Sequence, residues 1–218
     1  MKKQPSKLII IFTILMVIFS IASLFRIDIG ENQLSLASVT LVIGIAAFFI
    51  TAKENDSKDE GLNFKTIFSS LKDKKTLVLL FMPTVMNIIC NIGAELFVPE
   101  FMTHLKGRTG FLSFDALVVL VVQLMISALG EEIAWRAFFQ KQTSKMIPFI
   151  PSLIISSALF SLCHFTPASV AVVVYDLIFI FINAVIYGLI FRRTDNACVS
   201  AIAHFLANML GVVMIMAM

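Results

Sequence analysis

The sequence predicts an all-α fold, a polytopic transmembrane helix bundle of about seven spans, and three observations carry that prediction. Of its 218 residues 59% are hydrophobic and only 14% charged, with a mean hydropathy of +0.95, whereas soluble domains average about 25% charged residues. The apolar runs are about 17–25 residues long, enough to carry a helix across roughly 30 Å of hydrocarbon. They do not alternate with the period of two that a membrane β-barrel requires.

The first run, 8–25, follows Lys2, Lys3 and Lys7 and has Ser20-Ile21-Ala22 near its end, which gives it the look of a cleavable signal peptide. It is longer than a signal core, and six more runs follow, so it reads as an anchor. The second run is 34–52. The polar linker 53–75 then places Phe64, Ile67, Phe68 and Leu71 at i, i+3, i+4, i+7, the face of an amphipathic connector lying on the membrane surface.

In the third run, 76–98, Asn87, Asn91 and Glu95 form one helical stripe. Interhelical hydrogen bonding is the first reading of that stripe, and the wall of a wet cavity is the second. The fourth run, 114–139, holds Glu131, Glu132 and Arg136; the fifth, 148–165, ends on His164. The sixth, 169–191, contains Asp176 and Asn183, read in the same two ways, and the seventh, 197–218, contains His204 and Asn208. Glu100, His104 and Asp115 are expected at the interface, solvated. The organisation expected is three N-terminal spans in 1–112, with the linker near 53–75, and a four-span core in 113–218.

Lys and Arg in short loops set orientation. Lys2, Lys3, Lys7, Lys53, Lys58, Lys65, Lys72, Lys74, Lys75, Lys141, Lys145, Arg192 and Arg193 fall on the N-terminal side of the bundle, and only Arg26, Lys106 and Arg108 fall opposite. A cell-membrane, multi-pass protein with a cytoplasmic N-terminus is expected. The net charge of +3 lies mostly in those loops and suits anionic headgroups rather than nucleic acid. Cys90, Cys163 and Cys198 lack paired metal-ligand spacing and read as small buried hydrophobes.

Charge inside hydrocarbon needs a reason. Each charged side chain at mid-membrane costs roughly 2.5–3.5 kcal/mol, so Glu131, Glu132 and Arg136 together cost on the order of 8–10 kcal/mol before pairing. Glu132 and Arg136 are four apart and suited to an ion pair, while Glu131 is turned about 100° away and is free to act as a base. His204 and Asn208 share one helix face. Helix rise puts His204 about 10 Å and Glu131 about 12 Å from the N-terminal side, but His164 about 20 Å, a mismatch that tilt or a shifted span start must absorb.

Glu131-Glu132 with Arg136, Phe160 with His164, and His204 with Asn208 resemble, in order, the three signature motifs of the CPBP family, which includes type II CaaX prenyl endopeptidases and bacteriocin-processing or immunity (Abi-like) proteins. The resemblance covers about 130–208. It implies an intramembrane endopeptidase with a cytosol-accessible cavity that cuts a membrane-associated peptide or protein near the cytoplasmic leaflet. In that likeness Glu131 activates water, His164 orients it, His204 and Asn208 stabilise the oxyanion, and Glu132 and Arg136 support them.

No cofactor is favoured, since Glu132 looks committed to Arg136 and no His-Glu-x-x-His motif is present. A zinc version would use Glu131, His164 and His204. Twelve lysines against five arginines suit an AT-rich bacterial genome, where a bacteriocin or signalling peptide is a better substrate than a prenylated CaaX chain. The rival functions are a non-catalytic immunity or peptide-binding protein and, behind it, a proton-coupled transporter. The sequence leaves the natural substrate and the oligomeric state open.

Overall fold

The computed structural model describes residues 6–25, 28–29, 32–33, 36–54, 61–110 and 112–217. Its helices are α1 (Lys7–Ala22), α2 (Leu36–Glu54), α3 (Ile67–Leu71), α4 (Lys74–Phe97), α5 (Phe101–Arg108), α6 (Leu117–Glu132), α7 (Lys141–Met146), α8 (Phe149–Leu162), α9 (Val170–Thr194) and α10 (Ala197–Met216). A short antiparallel ribbon, Asp28–Ile29 with Asn32–Gln33, joins α1 to α2.

Among the described residues seven apolar helices stand where the apolar runs are, and five have the length to cross a membrane: α2, α4, the unbroken run 117–146, α9 and α10. Helices α1 and α8, with 16 and 14 residues, reach only about 24 and 21 Å at 1.5 Å per residue. The fourth span does not stop at 139. Between α6 and α7 the chain passes through a π-helical segment, Ile133–Gln140, without a break.

Polar side chains start several helices. Ser6, Asp73 and Asn196 accept hydrogen bonds from the backbone N–H of Ile9, Thr76 and Cys198 at 3.3, 3.1 and 3.0 Å, satisfying donors that a helix start leaves open. Asp195, in the left-handed region at φ 47°, ends α9.

The loops sort into two ends. At one, Lys141 pairs with Asp195 at 2.8 Å, Arg193 with Asp73 at 2.6 Å, and Arg192 sits over Phe149. This end carries the basic loops. At the other, Ser23 Oγ reaches the Leu162 carbonyl at 3.4 Å, Ser169 Oγ reaches Glu100, and Asp176 pairs with Arg108 and His104.

The linker does not form one amphipathic helix. From Gly61 it runs extended, then makes a 3₁₀ turn (Phe64–Thr66) and the short α3. Phe64 and Phe68 stand 64% and 78% exposed beside Lys65 and Lys72, which suits a membrane surface. Its first half, residues 55–60, lies outside the described residues. The extended part is a strap across the basic end. Asn196 Nδ2 donates to the Asn63 carbonyl at 2.6 Å and to Thr66 Oγ1 at 3.1 Å, and Ala197 N–H donates to the Gly61 carbonyl at 2.8 Å. Gly61, at φ +90°, lies so close that a Cβ would sit 3.2 Å from that of Ala137.

Every residue of the π-helical segment is buried. Its carbonyls do not all have α-helical partners, and α8 supplies hydroxyls: Ser152 Oγ donates to the Gln140 carbonyl at 3.1 Å and Ser156 Oγ to that of Trp135 at 3.3 Å. Small residues bring α2 against it, since a Cβ on Gly44 would stand 2.6 Å from the Cβ of Ala134. The segment is thereby the fixed centre on which the glutamates are mounted.

Candidate active site

The turn from α6 into the π segment aims its two carboxylates apart. Glu132 and Arg136, both fully buried, approach to 3.3 Å (Oε2 to Nε), and the guanidinium lies 5.0 Å from the Phe160 ring centroid and 5.9 Å from that of Tyr187. Glu132 Oε1 is 3.2 Å from His204 Nδ1. This carboxylate therefore stands between a guanidinium and an imidazole.

Glu131 turns the other way. Ser127 Oγ donates to its Oε1 at 3.1 Å, and its Oε2 lies 3.8 Å from His164 Nε2 and 3.8 Å from His204 Nε2. The depth mismatch disappears because the fourth helix continues to Met146: Glu131 is then about 22 Å from its end, level with His164, about 22 Å along from Phe149. His204 reaches the same level from closer in sequence, because α10 begins already buried beneath the strap.

The rings are held by their surroundings. His164 Nδ1 is 2.9 Å from the Phe160 carbonyl; a carbonyl only accepts, so Nδ1 carries the proton and Nε2 offers a lone pair to the pocket. His204 stacks on Tyr187 with centroids 4.5 Å apart and meets Phe160 edge-on at 6.0 Å. Sequence reasoning did not single out Ser127 or Tyr187. Ser127 stands four before Glu131, a spacing that would have found it; Tyr187 is one aromatic in an apolar helix and gives no signal.

These groups line a cavity of about 470 Å³ that also takes in Asn208, Asn87, Asn91 and Asn183. On the basic side it ends against Trp135, Phe160 and Tyr187, all 3% exposed or less. On the other side it extends to Ser38, Arg108 and Thr166, at the start of α2, the end of α5 and the loop after α8. The mouth thus lies at the end opposite the basic loops.

Two groups are placed otherwise than expected. His104 is not solvated: its side chain is 6% exposed and bonded to Asp176, which also holds Arg108. Glu95 leaves the asparagine stripe and is exposed, whereas Asn87 and Asn91 face the bundle. Glu100 and Asp115 are exposed as expected. Among the described residues no group of three or more His, Cys, Asp or Glu is disposed to hold a metal ion. The 3.8 Å separations from Glu131 to each ring exceed the roughly 3.3 Å between ligand atoms about 2.0 Å from a tetrahedral zinc.

Residues 113–210 match the model of a family described as type II CAAX prenyl endopeptidase, Rce1-like. No curated protein and no solved structure matches the chain. The matched segment contains all three motifs and supports the likeness to the CPBP family of proteases that they implied, and the apolar helices make this chain a multi-pass membrane protein.

Proposed function

We propose that this protein is an intramembrane endopeptidase that hydrolyses a peptide bond of a membrane-associated peptide or protein, with Glu131 as the base. The observation that carries the reading is one carboxylate oxygen 3.8 Å from two imidazole nitrogens on the wall of a membrane cavity. A water hydrogen-bonded at about 2.8 Å to the Glu131 carboxylate and to His164 Nε2 donates both protons to acceptors and turns a lone pair towards the cavity. Glu131 takes one proton as the oxygen attacks the scissile carbonyl carbon.

The negative charge then develops on the carbonyl oxygen. His204 donates to it from Nε2 in its doubly protonated form, whose Nδ1–H is held by Glu132, and the Asn208 amide donates beside it. Preorganised donors in a dry site each contribute about 3 kcal/mol. Glu131 returns the proton to the leaving nitrogen, the C–N bond breaks, and the water's second proton passes through His164 to the amine, so that a carboxylate and an ammonium depart.

The mouth supports a choice of leaflet. With the basic loops cytoplasmic by charge bias, substrate enters from the opposite face, so an exported peptide suits the site better than a cytosolic one.

Cleavage of candidate peptides in liposomes tests the reading. Glu131→Ala, His164→Ala and His204→Ala are each expected to lose about 10²- to 10⁴-fold in rate, and a chelator to leave the wild type unchanged. Full activity in the Glu131 variant would overturn the mechanism. Loss on chelation restored by zinc would replace it with one in which Glu131, His164 and His204 hold the metal.

A further inference from the structure

The role given to His204 is directional. Its Nδ1 faces Glu132 Oε1 at 3.2 Å, and its Nε2 must at the same time point at the developing oxyanion. Both nitrogens lie in the ring plane, so one torsion sets both directions. That torsion is broad in an imidazole, and a single hydrogen bond fixes a direction without fixing a plane. Something flat has to complete the placement.

Among the described residues two aromatic rings meet His204, and only one lies flat on it. Phe160 comes edge-on, at an interplanar angle of 71°, whereas Tyr187 is stacked at 18° with centroids 4.5 Å apart. Tyr187 is itself only 2% exposed, so its ring has little room to swing away.

Tyr187 is also fixed from behind. The next residue, Gly188, accepts a hydrogen bond at its carbonyl from Gln140 Nε2 at 3.0 Å. A Cβ on Gly188 would overlap Leu153 and stand 2.5 Å from Gln140 Oε1, so glycine is what lets α9 lie this close to the π segment and to α8. Gln140 is the last residue of that segment, and Glu132 immediately precedes its first. One buried, rigid stretch thus reaches His204 twice: through Glu132 at Nδ1, and through Gln140, Gly188 and Tyr187 at the ring face.

We infer that Tyr187 is a positioning residue for His204, its ring face holding the imidazole in the plane that sends Nε2 to the oxyanion while Nδ1 stays on Glu132. The inference rests on the endopeptidase reading and adds to it a residue outside the three motifs. The flat face does the work, so the phenol oxygen is dispensable.

The test compares full-length wild type with Tyr187→Phe, which keeps the face, and with Tyr187→Leu and Tyr187→Met, which fill the space without one. In liposomes, with a peptide that the wild type cuts, the leucine and methionine variants are expected to lose about 10- to 100-fold in kcat, as a misplaced reacting group does, with KM unchanged. The phenylalanine variant should stay within about 3-fold of wild type. A second readout needs no turnover. The chain has three histidines, and in detergent the isotope-labelled ring of His204 should give one sharp set of NMR signals in wild type and Tyr187→Phe. It should give broadened or split signals in the other two variants, while those of His104 and His164 stay in place and report an intact fold. Unchanged kcat or a single sharp His204 set without the aromatic face would overturn the inference, and so would a phenylalanine variant as slow as the leucine one. A wild type that shows the NMR contrast but cuts no peptide would count against the endopeptidase reading and leave the positioning of His204 standing.

Discussion

At the basic end Asn196, 1% exposed, ties a strap over the start of α10, and the π segment beneath it is buried on every side. At the other end the helices part around a cavity that reaches Glu131. The same helices build both ends, so the difference lies in what fills the space between them. The closed end holds the charges that fix geometry, Glu132 and Arg136, and Glu131, the carboxylate left to react, lines the cavity. Rigidity and access are separated along the membrane normal.

Arg136→Leu is the strongest way to break that division. It strands Glu132 in the closed end, and removing one partner of a buried pair costs about 3–5 kcal/mol. Thermal unfolding in detergent is expected to show the loss, with part of it recovered in the double variant Glu132→Gln/Arg136→Leu. An Arg136→Leu protein as stable as the wild type would mean the pair anchors nothing.

Gly61→Val probes the strap itself. A β-branched side chain at φ +90° and a Cβ 3.2 Å from that of Ala137 together are expected to cost about 1–3 kcal/mol. Proteolysis should then cut the linker faster while α9 and α10 stay protected. Ser127→Ala, at the open end, removes one hydrogen bond to Glu131 and is expected to slow cleavage about 5-fold with no change in thermal stability; an unchanged rate would show that Ser127 does not position the base.

Asp73 gives the smallest effect. Its hydrogen bonds from Arg193 and then Thr76 hold its carboxyl below the usual range. A lowered folded-state value stabilises above the unfolded value, near 4, and that contribution is lost as pH falls below it. Asp73→Asn is therefore expected to narrow the stability difference between pH 7 and pH 3 slightly, and an unaltered pH profile would show the pair to be energetically silent.

The fold class was legible because a membrane span is a matter of length and hydropathy, and the seven apolar helices stand where those runs are. The three motifs were legible because a charge or imidazole in an apolar run has few bland explanations. The depth of Glu131 was not: the run appeared to end at Phe139, since Gln140 and Lys141 follow, but Gln140 is buried and donates to the Gly188 carbonyl at 3.0 Å. The strap was equally hidden. It depends on Asn196 meeting Asn63 across 133 residues, and no local pattern announces such a contact. The burial of His104 depends in the same way on Asp176, on a different helix.

The direction of the cavity is the claim on which the substrate reading turns, and cysteine labelling in intact cells tests it directly. In a protein with Cys90, Cys163 and Cys198 replaced, Ala168→Cys reports the loop beside the mouth and Lys72→Cys reports the basic end, both at exposed positions. A membrane-impermeant thiol reagent added outside is expected to label the cysteine at 168 at once and the one at 72 only after the cells are opened. The reverse pattern would put the mouth in the cytosol and contradict the account.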